Sequence, residues 1–257
     1  MTNYLTKRWI ESGLRKNDNI LLHSSFKRTL KELKNHNYNV GPQDLLESLI
    51  DLVLPNGNLL IPTFNFDFND GVDYDYYKTK SQMGVVTEYA RKHVKAKRTL
   101  NPVYSFAAFG NDAHLFDNLD NKSWYSNESP FGIVHKMNYK ICIIDLRDRN
   151  SMTFAHYCEE YFQVPWKFYK NFTGNYKDKN GNSTIKTYKG YVRKINEGID
   201  TTLDPAGELL WERNLYKGNK INEGNGLRFV YANDYFDFFK ELYEQNKCKP
   251  YFYDKIT

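Results

Sequence analysis

Cysteine is scarce in this chain of 257 residues, and Cys142, Cys158 and Cys248 form neither an even set nor a paired ligand spacing. That speaks against a disulfide framework and against zinc. Long apolar runs are missing too. Stretches such as Ile141 to Ile144 and Leu59 to Ile61 are far too short to cross a bilayer, and Met1 to Ile10 has no hydrophobic signal core. A cytoplasmic protein without membrane insertion is the expectation. There is no Gly-x-Gly-x-x-Gly, no Gly-x-x-x-x-Gly-Lys and no Gly-x-Ser-x-Gly run, so dinucleotide loops, triphosphate loops and serine-hydrolase elbows lack support. His-Glu-x-x-His is absent, and His36, His93, His114 and His135 show no ligand spacing, so no metal is expected.

What is present is ordinary for a globular protein: 40% hydrophobic and 26% charged residues. The length suits one α/β domain over residues 1–257. The net charge of +5 points to an anionic partner. Its one dense stretch, Arg91, Lys92, Lys95, Lys97 and Arg98, reads equally as a solvated helix end or a phosphate-binding patch. The chain carries 21 Tyr and 17 Phe, and their spacing matches no nucleic-acid stacking motif, so no nucleic-acid partner is expected.

Apolar runs alternate with amphipathic stretches through the first two thirds, the pattern of a central mixed sheet flanked by helices. Strands are expected at Asn19 to His23, Asn58 to Ile61, Val103 to Phe109 and Tyr139 to Leu146. A helix opens at Gly41-Pro42 and stops at Pro55-Asn56-Gly57, and another covers Gly84 to Val94. Beyond Trp166 two aromatic-rich alternating runs flank Lys-Asp-Lys-Asn-Gly-Asn, which predicts a β-hairpin excursion over about 166–193. Overhang of a ligand crevice and a homodimer contact are both open roles for it. A strand near Arg228 to Tyr231 and an aromatic-faced helix from Tyr235 close the chain. Polar residues follow several strands, as in His23-Ser24-Ser25, Pro62-Thr63 and Asp145 to Thr153. In open α/β sheets such carboxyl ends carry the ligand site, although each Ser or Thr also suits a helix cap.

The most informative run is Thr153 to Glu160, Thr-Phe-Ala-His-Tyr-Cys-Glu-Glu. On a helix, His156 and Glu159 share a face, with Glu160 one position further on. A carboxylate beside an imidazole raises its basicity and fixes its tautomer, as a general base requires. Cys158 sits two residues from His156, on nearly the opposite side, and reads as a small core residue.

Several segments together resemble the aminoglycoside 3-N-acetyltransferase family, in order and over most of the chain. They are His23-Ser24-Ser25-Phe26-Lys27, Pro55 to Phe64, Arg98 to Gly110, Ser129-Pro130-Phe131-Gly132, and Thr153 to Glu159 as Thr-x-x-His-x-x-Glu. The resemblance implies acyl-CoA-dependent transfer to an amino group on a sugar, with acyl-CoA as cosubstrate. Carried over residue by residue, it makes His156 the general base and Glu159 its orienting carboxylate. It also places Ser24, Ser25, Lys27, Thr63 and Ser105 along the acyl-CoA or substrate crevice and Arg98 near a phosphate. Glu160 is a departure that could compete for the orienting role. The basic charge brings the chain nearer to members that N-acylate dTDP-linked 3-amino-6-deoxy sugars with acetyl or 3-hydroxybutyryl groups. The only candidate acidic cluster for a polycationic drug is Asp67, Asp70, Asp73 and Asp75, which also reads as a solvated loop. Alternatives are an aminoglycoside acceptor and a non-catalytic glycan- or nucleic-acid-binding module.

Overall fold

The computed structural model describes residues 2–255. In chain order the elements are α1 (Thr2–Glu11), β1 (Asn19–Ser24), α2 (Lys27–Asn35), α3 (Pro42–Val53), β2 (Asn58–Pro62), β3 (Tyr74–Asp75) and α4 (Val85–Lys92). Next come β4 (Lys97–Arg98), β5 (Phe106–Gly110), α5 (Pro130–Lys136), β6 (Lys140–Ile144), α6 (Phe154–Tyr161), β7 (Lys167–Lys177) and β8 (Ser183–Arg193). The chain ends with β9 (Ile199–Thr201), α7 (Asp204–Glu212), β10 (Lys217–Gly218), β11 (Leu227–Tyr231), α8 (Ala232–Glu244) and β12 (Tyr253–Lys255).

Seven strands form one mixed sheet in the order β10-β11-β6-β1-β2-β5-β4. Its centre is parallel: β1 pairs with β6 on one side and β2 on the other. Antiparallel strands β11 and β5 flank this trio. The three central carboxyl ends, at Ser24, Pro62 and Ile144, therefore open toward the same side, where ligand crevices form in such sheets. Ser25 N–H donates to Ile144 O at 2.8 Å and draws two of those ends together.

The sheet is covered on both faces, and the period-2 alternation of its strands shows how. Leu21, Leu60, Ile141 and Ile143 join a core built with α5, α6 and α8, while Ile20, Leu22, Leu59 and Cys142 join one built with α1, α3 and α4. Burial on both faces explains why the central strands are continuously apolar.

The expected strands and helices recur with shifted ends: the first two strands each run one residue further, to Ser24 and Pro62, and the last helix opens at Ala232. The third strand starts at Phe106 rather than Val103 because Asn101 Oδ1 accepts the Val103 and Tyr104 N–H groups and holds those residues in a turn. The fourth stops at Ile144, before Asp145 turns to φ 46°. Helices α1, α2, α5 and α7, of 10, 9, 7 and 9 residues, lie outside the expected set, and α5 and α7 carry a proline in the first turn.

The hairpin is regular over eleven residue pairs, from Lys167 opposite Arg193 to Lys177 opposite Ser183. Its turn is tied by Asp178 Oδ1, which accepts the N–H groups of Asn180 and Asn182 at 2.8 and 2.9 Å. The 64–77 loop packs beneath it, with Tyr74 stacked on Tyr176 at 4.9 Å and β3 adding a parallel strand to β7. The acidic side chains of this loop serve it locally: Asp67 accepts Gln82 Nε2 at 2.7 Å, and Asp73 accepts Asn175 Nδ2 at 2.9 Å. Among the described residues, no helix is long and apolar enough to cross a membrane.

Candidate active site

Helix α6 begins just beyond the carboxyl end of β6 and places His156 and Glu159 on one face. Nδ1 of His156 lies 2.8 Å from Glu159 Oε2. The carboxylate is almost sealed, with a side-chain exposure of 1%, whereas His156 keeps 20%. Two more donors reach Glu159 from beyond the helix: Trp166 Nε1 donates to Oε1 at 2.9 Å, and the Lys167 ammonium pairs with Oε2. Lys167 Nζ is also 3.0 Å from His156 Nδ1. Burial works against the Glu159 charge, but the Lys167 cation and the His156 hydrogen bond outweigh it and hold the carboxyl at about 2. His156 is lowered from the ordinary imidazole value by burial and then by Lys167, with Glu159 opposing both. Its hydrogen bonds all fall on Nδ1, so Nε2 is left for an incoming group.

Glu160 does not compete for the imidazole. The Ser123 hydroxyl donates to its Oε1 at 2.6 Å, and its buried Oε2 has no hydrogen-bond partner. Burial raises its pKa, with Ser123 acting in the opposite direction. Cys158 is fully buried in the core, and burial drives its thiol pKa well up, far from a reactive thiolate.

Tyr125 forms the wall opposite the helix, its ring 5.2 Å from that of His156. Behind it, Trp124 stacks on Phe172 at 4.8 Å. Trp124 fits because position 190 is glycine: a Cβ there would stand 2.3 Å from Trp124 Cζ3. The Ser-Pro-x-Gly segment has a similar basis. Pro130 opens α5, and a Cβ on Gly132 would stand 2.0 Å from the Asn127 carbonyl oxygen. Asn127 Oδ1 in turn accepts the Tyr157 hydroxyl at 3.0 Å.

Two cavities flank this region. Tyr125, Asn127, Glu128, Glu160 and Tyr169 line a polar one of about 470 Å³. Phe168, Lys170, Phe172, Arg193 and Lys194 line a basic, aromatic groove of about 580 Å³ beside the base of the hairpin.

The residues carried over from the resemblance separate into three places. His156 and Glu159 form the pair. Ser24, Ser25 and Lys27 line a cavity of about 260 Å³ with Met83 and Thr87, at the start of α2. His23, which precedes Ser24, connects that end of β1 to α6, its Nε2 lying 3.1 Å from Thr153 Oγ1. Thr63, Ser105 and Arg98 form a buried knot instead: the Thr63 and Ser105 hydroxyls are 2.8 Å apart, Arg98 Nη2 donates to Ser105 at 3.3 Å, and Nη1 donates to the Tyr76 carbonyl. Arg98 is 4% exposed and sits over the Tyr74 and Tyr76 rings, so its guanidinium ties the 64–77 loop to the sheet and does not line the Ser24 cavity. Sequence reasoning missed Lys167, Trp166 as a hydrogen-bond donor, and Tyr125. For Trp166 and Lys167 the only signal was their pairing at the start of the predicted hairpin, and Tyr125 had none.

The family model for aminoglycoside 3-N-acetyltransferase matches residues 21–244, which span β1 through α8 and hold the whole His156 constellation. The chain belongs to the aminoglycoside 3-N-acetyltransferase family, a family of CoA-dependent N-acyltransferases. Solved structures agree on the fold. YokD from Bacillus subtilis is 19% identical with a TM-score of 0.76, over 96% of this chain and 94% of that one. AAC-IIIb, solved as a binary complex with CoASH, is 18% identical with a TM-score of 0.79, over 96% and 97%. AAC-VIa bound to sisomicin is 19% identical with a TM-score of 0.76, over 95% and 97%. A comparison with curated proteins returns no match.

Proposed function

We propose that the protein transfers an acyl group from acyl-CoA to an amino group of an amino sugar, in one direct step within a ternary complex, with His156 as general base. The observation that carries this reading is the Glu159-tethered imidazole with Nε2 free. A sugar amine is largely protonated near neutrality and becomes a nucleophile only on losing a proton. That first proton passes to solvent as the acceptor binds. The neutral amine nitrogen then attacks the thioester carbonyl carbon, the C–N bond forms while Nε2 of His156 takes the second proton that the nitrogen sheds, and the C–S bond breaks with its electron pair leaving on sulfur. The imidazolium returns the proton to the departing CoA thiolate. No protein nucleophile is needed, in keeping with the buried thiol of Cys158. Ser24, Ser25 and Lys27 lie where the start of α2 and a lysine suit a phosphate-bearing chain, and we assign them to the acyl-CoA side.

For the acceptor, an aminoglycoside is the first reading. The family description and the sisomicin complex of AAC-VIa support it. So does the polar cavity with Glu128 and Glu160, whose carboxylates suit additional ammonium groups. A nucleotide-linked amino sugar is the second reading, favoured by the groove of Lys170, Arg193 and Lys194 with two phenylalanines, which suits a diphosphate and a base. Thiol release from acetyl-CoA and longer acyl-CoAs, followed with a panel of amines, tests both. Turnover with aminoglycosides alone supports the first reading and turnover with dTDP-amino sugars alone the second. Absence of thiol release with every amine refutes the activity.

A further inference from the structure

We propose that Lys167 is a positioning residue of this site: by supplying the cation that Glu159 requires, it keeps His156 neutral and ready to act as a base. The function assigned to that neutral imidazole rests on the acyl-transfer reading, whereas the charge state itself can be tested without turnover.

A carboxylate sealed beside a histidine normally draws a proton onto the imidazole, because a buried charge demands a counter-charge. Such a pair would present an imidazolium to the substrate, with no lone pair to accept a proton. Here the demand is met from another element. Lys167, the first residue of β7, is only 4% exposed in its side chain and forms an ion pair with the same Oε2 that faces His156. Trp166 occupies Oε1. The carboxylate is thus neutralised and fully hydrogen-bonded while the imidazole stays uncharged. A proton added to His156 would place an imidazolium 3.0 Å from the ammonium. The tautomer follows from the carboxylate contact: ionised Glu159 only accepts, so Nδ1–H directed at its Oε2 at 2.8 Å leaves the lone pair on Nε2.

The other groups facing His156 agree. From β8, Arg193 stands opposite Lys167 in the register and adds a second positive field. From the segment before α5, Tyr125 contributes a phenol whose pKa burial pushes far up, so it stays neutral. On α6 itself, Glu160 is bonded to Ser123 and its acidity is weakened by burial. Burial and the Lys167 charge both lower the His156 pKa. A proton accepted during the reaction is consequently held loosely and passes readily to the leaving thiolate.

The test is an NMR titration of the His156 imidazole in the full-length protein without substrate, for the parent, Lys167→Met and Lys167→Arg. In the parent the midpoint should lie below the ordinary value of about 6.5. Lys167→Met should raise it by about one pH unit or more, and Lys167→Arg should restore it to within a few tenths of the parent. If Lys167→Met fails to fold, Lys167→Gln keeps a donor toward Glu159 and removes the charge, with the same rise expected. A parent midpoint at or above about 6.5 overturns the proposal, as does an unmoved midpoint in a folded charge-removing variant. Turnover is followed in parallel. A shifting midpoint with no acyl transfer refutes the activity and leaves the electrostatic role standing, whereas His156-dependent transfer with an unmoved midpoint does the reverse.

Discussion

The indole N–H of Trp166 and the carboxylate of Glu159 meet at 2.9 Å, which fastens the helix bearing His156 to the residue that opens the hairpin. Trp166 also stacks on Tyr253 at 4.2 Å, so the bond lies inside a packed interface. Trp166→Phe keeps most of that packing and leaves a buried carboxylate oxygen short of a donor. We expect a loss of about 1–3 kcal/mol in stability, measured by denaturant unfolding with unchanged m-value. Trp166→Phe should also lower kcat more than it changes KM.

His156→Ala should lower kcat by ~10²-fold or more while circular dichroism and melting stay near the parent. Glu159→Gln should follow it part of the way, because the carboxamide can still accept from Nδ1 but lacks the charge. Glu160→Gln should act chiefly on acceptor KM, because its carboxylate faces Ser123 and the polar cavity. Steady-state kinetics with one acyl-CoA and one acceptor separate these outcomes. Equal small effects of the two glutamate variants would contradict the orienting role of Glu159.

Stability should weaken on acidification for a reason located at His23. Burial holds its imidazole at about 3, far below the ordinary 6.5. A folded-state pKa below the unfolded one means that the unfolded chain binds more protons between those values. The contribution is therefore intact above pH 6.5 and is lost as pH falls toward about 3, by up to ~1.4 kcal/mol per pH unit. His23→Asn should flatten the dependence of unfolding free energy on pH in that window, read from urea titrations at several pH values. An identical slope in parent and variant would place the acid sensitivity elsewhere.

How much of this was legible in the sequence depended on range. The His156 and Glu159 contact lies within one helical turn, so spacing alone exposed it, and the same spacing correctly set Cys158 aside. Lys167 was out of reach because its approach depends on the reversal after α6, where Gln163 takes φ 51°. Thr63 and Ser105 are 42 positions apart and meet only through the antiparallel pairing of β2 with β5. Arg98 shows the limit most plainly. A basic residue at the end of a basic run looks exposed, yet the loop of residues 64–77 closes over it and supplies two rings and a carbonyl.

The seven-stranded sheet ends on both sides in a strand of two residues, Lys217–Gly218 and Lys97–Arg98. So short a border, with an exposed lysine on each, offers no template on which a second chain could extend the sheet. In the hairpin sheet the outer edge of β8 is capped at Lys189, whose N–H donates to the Lys122 carbonyl at 2.7 Å and whose carbonyl accepts the Trp124 N–H at 3.0 Å. Growth of the main sheet into filaments by strand addition is thereby disfavoured at both ends.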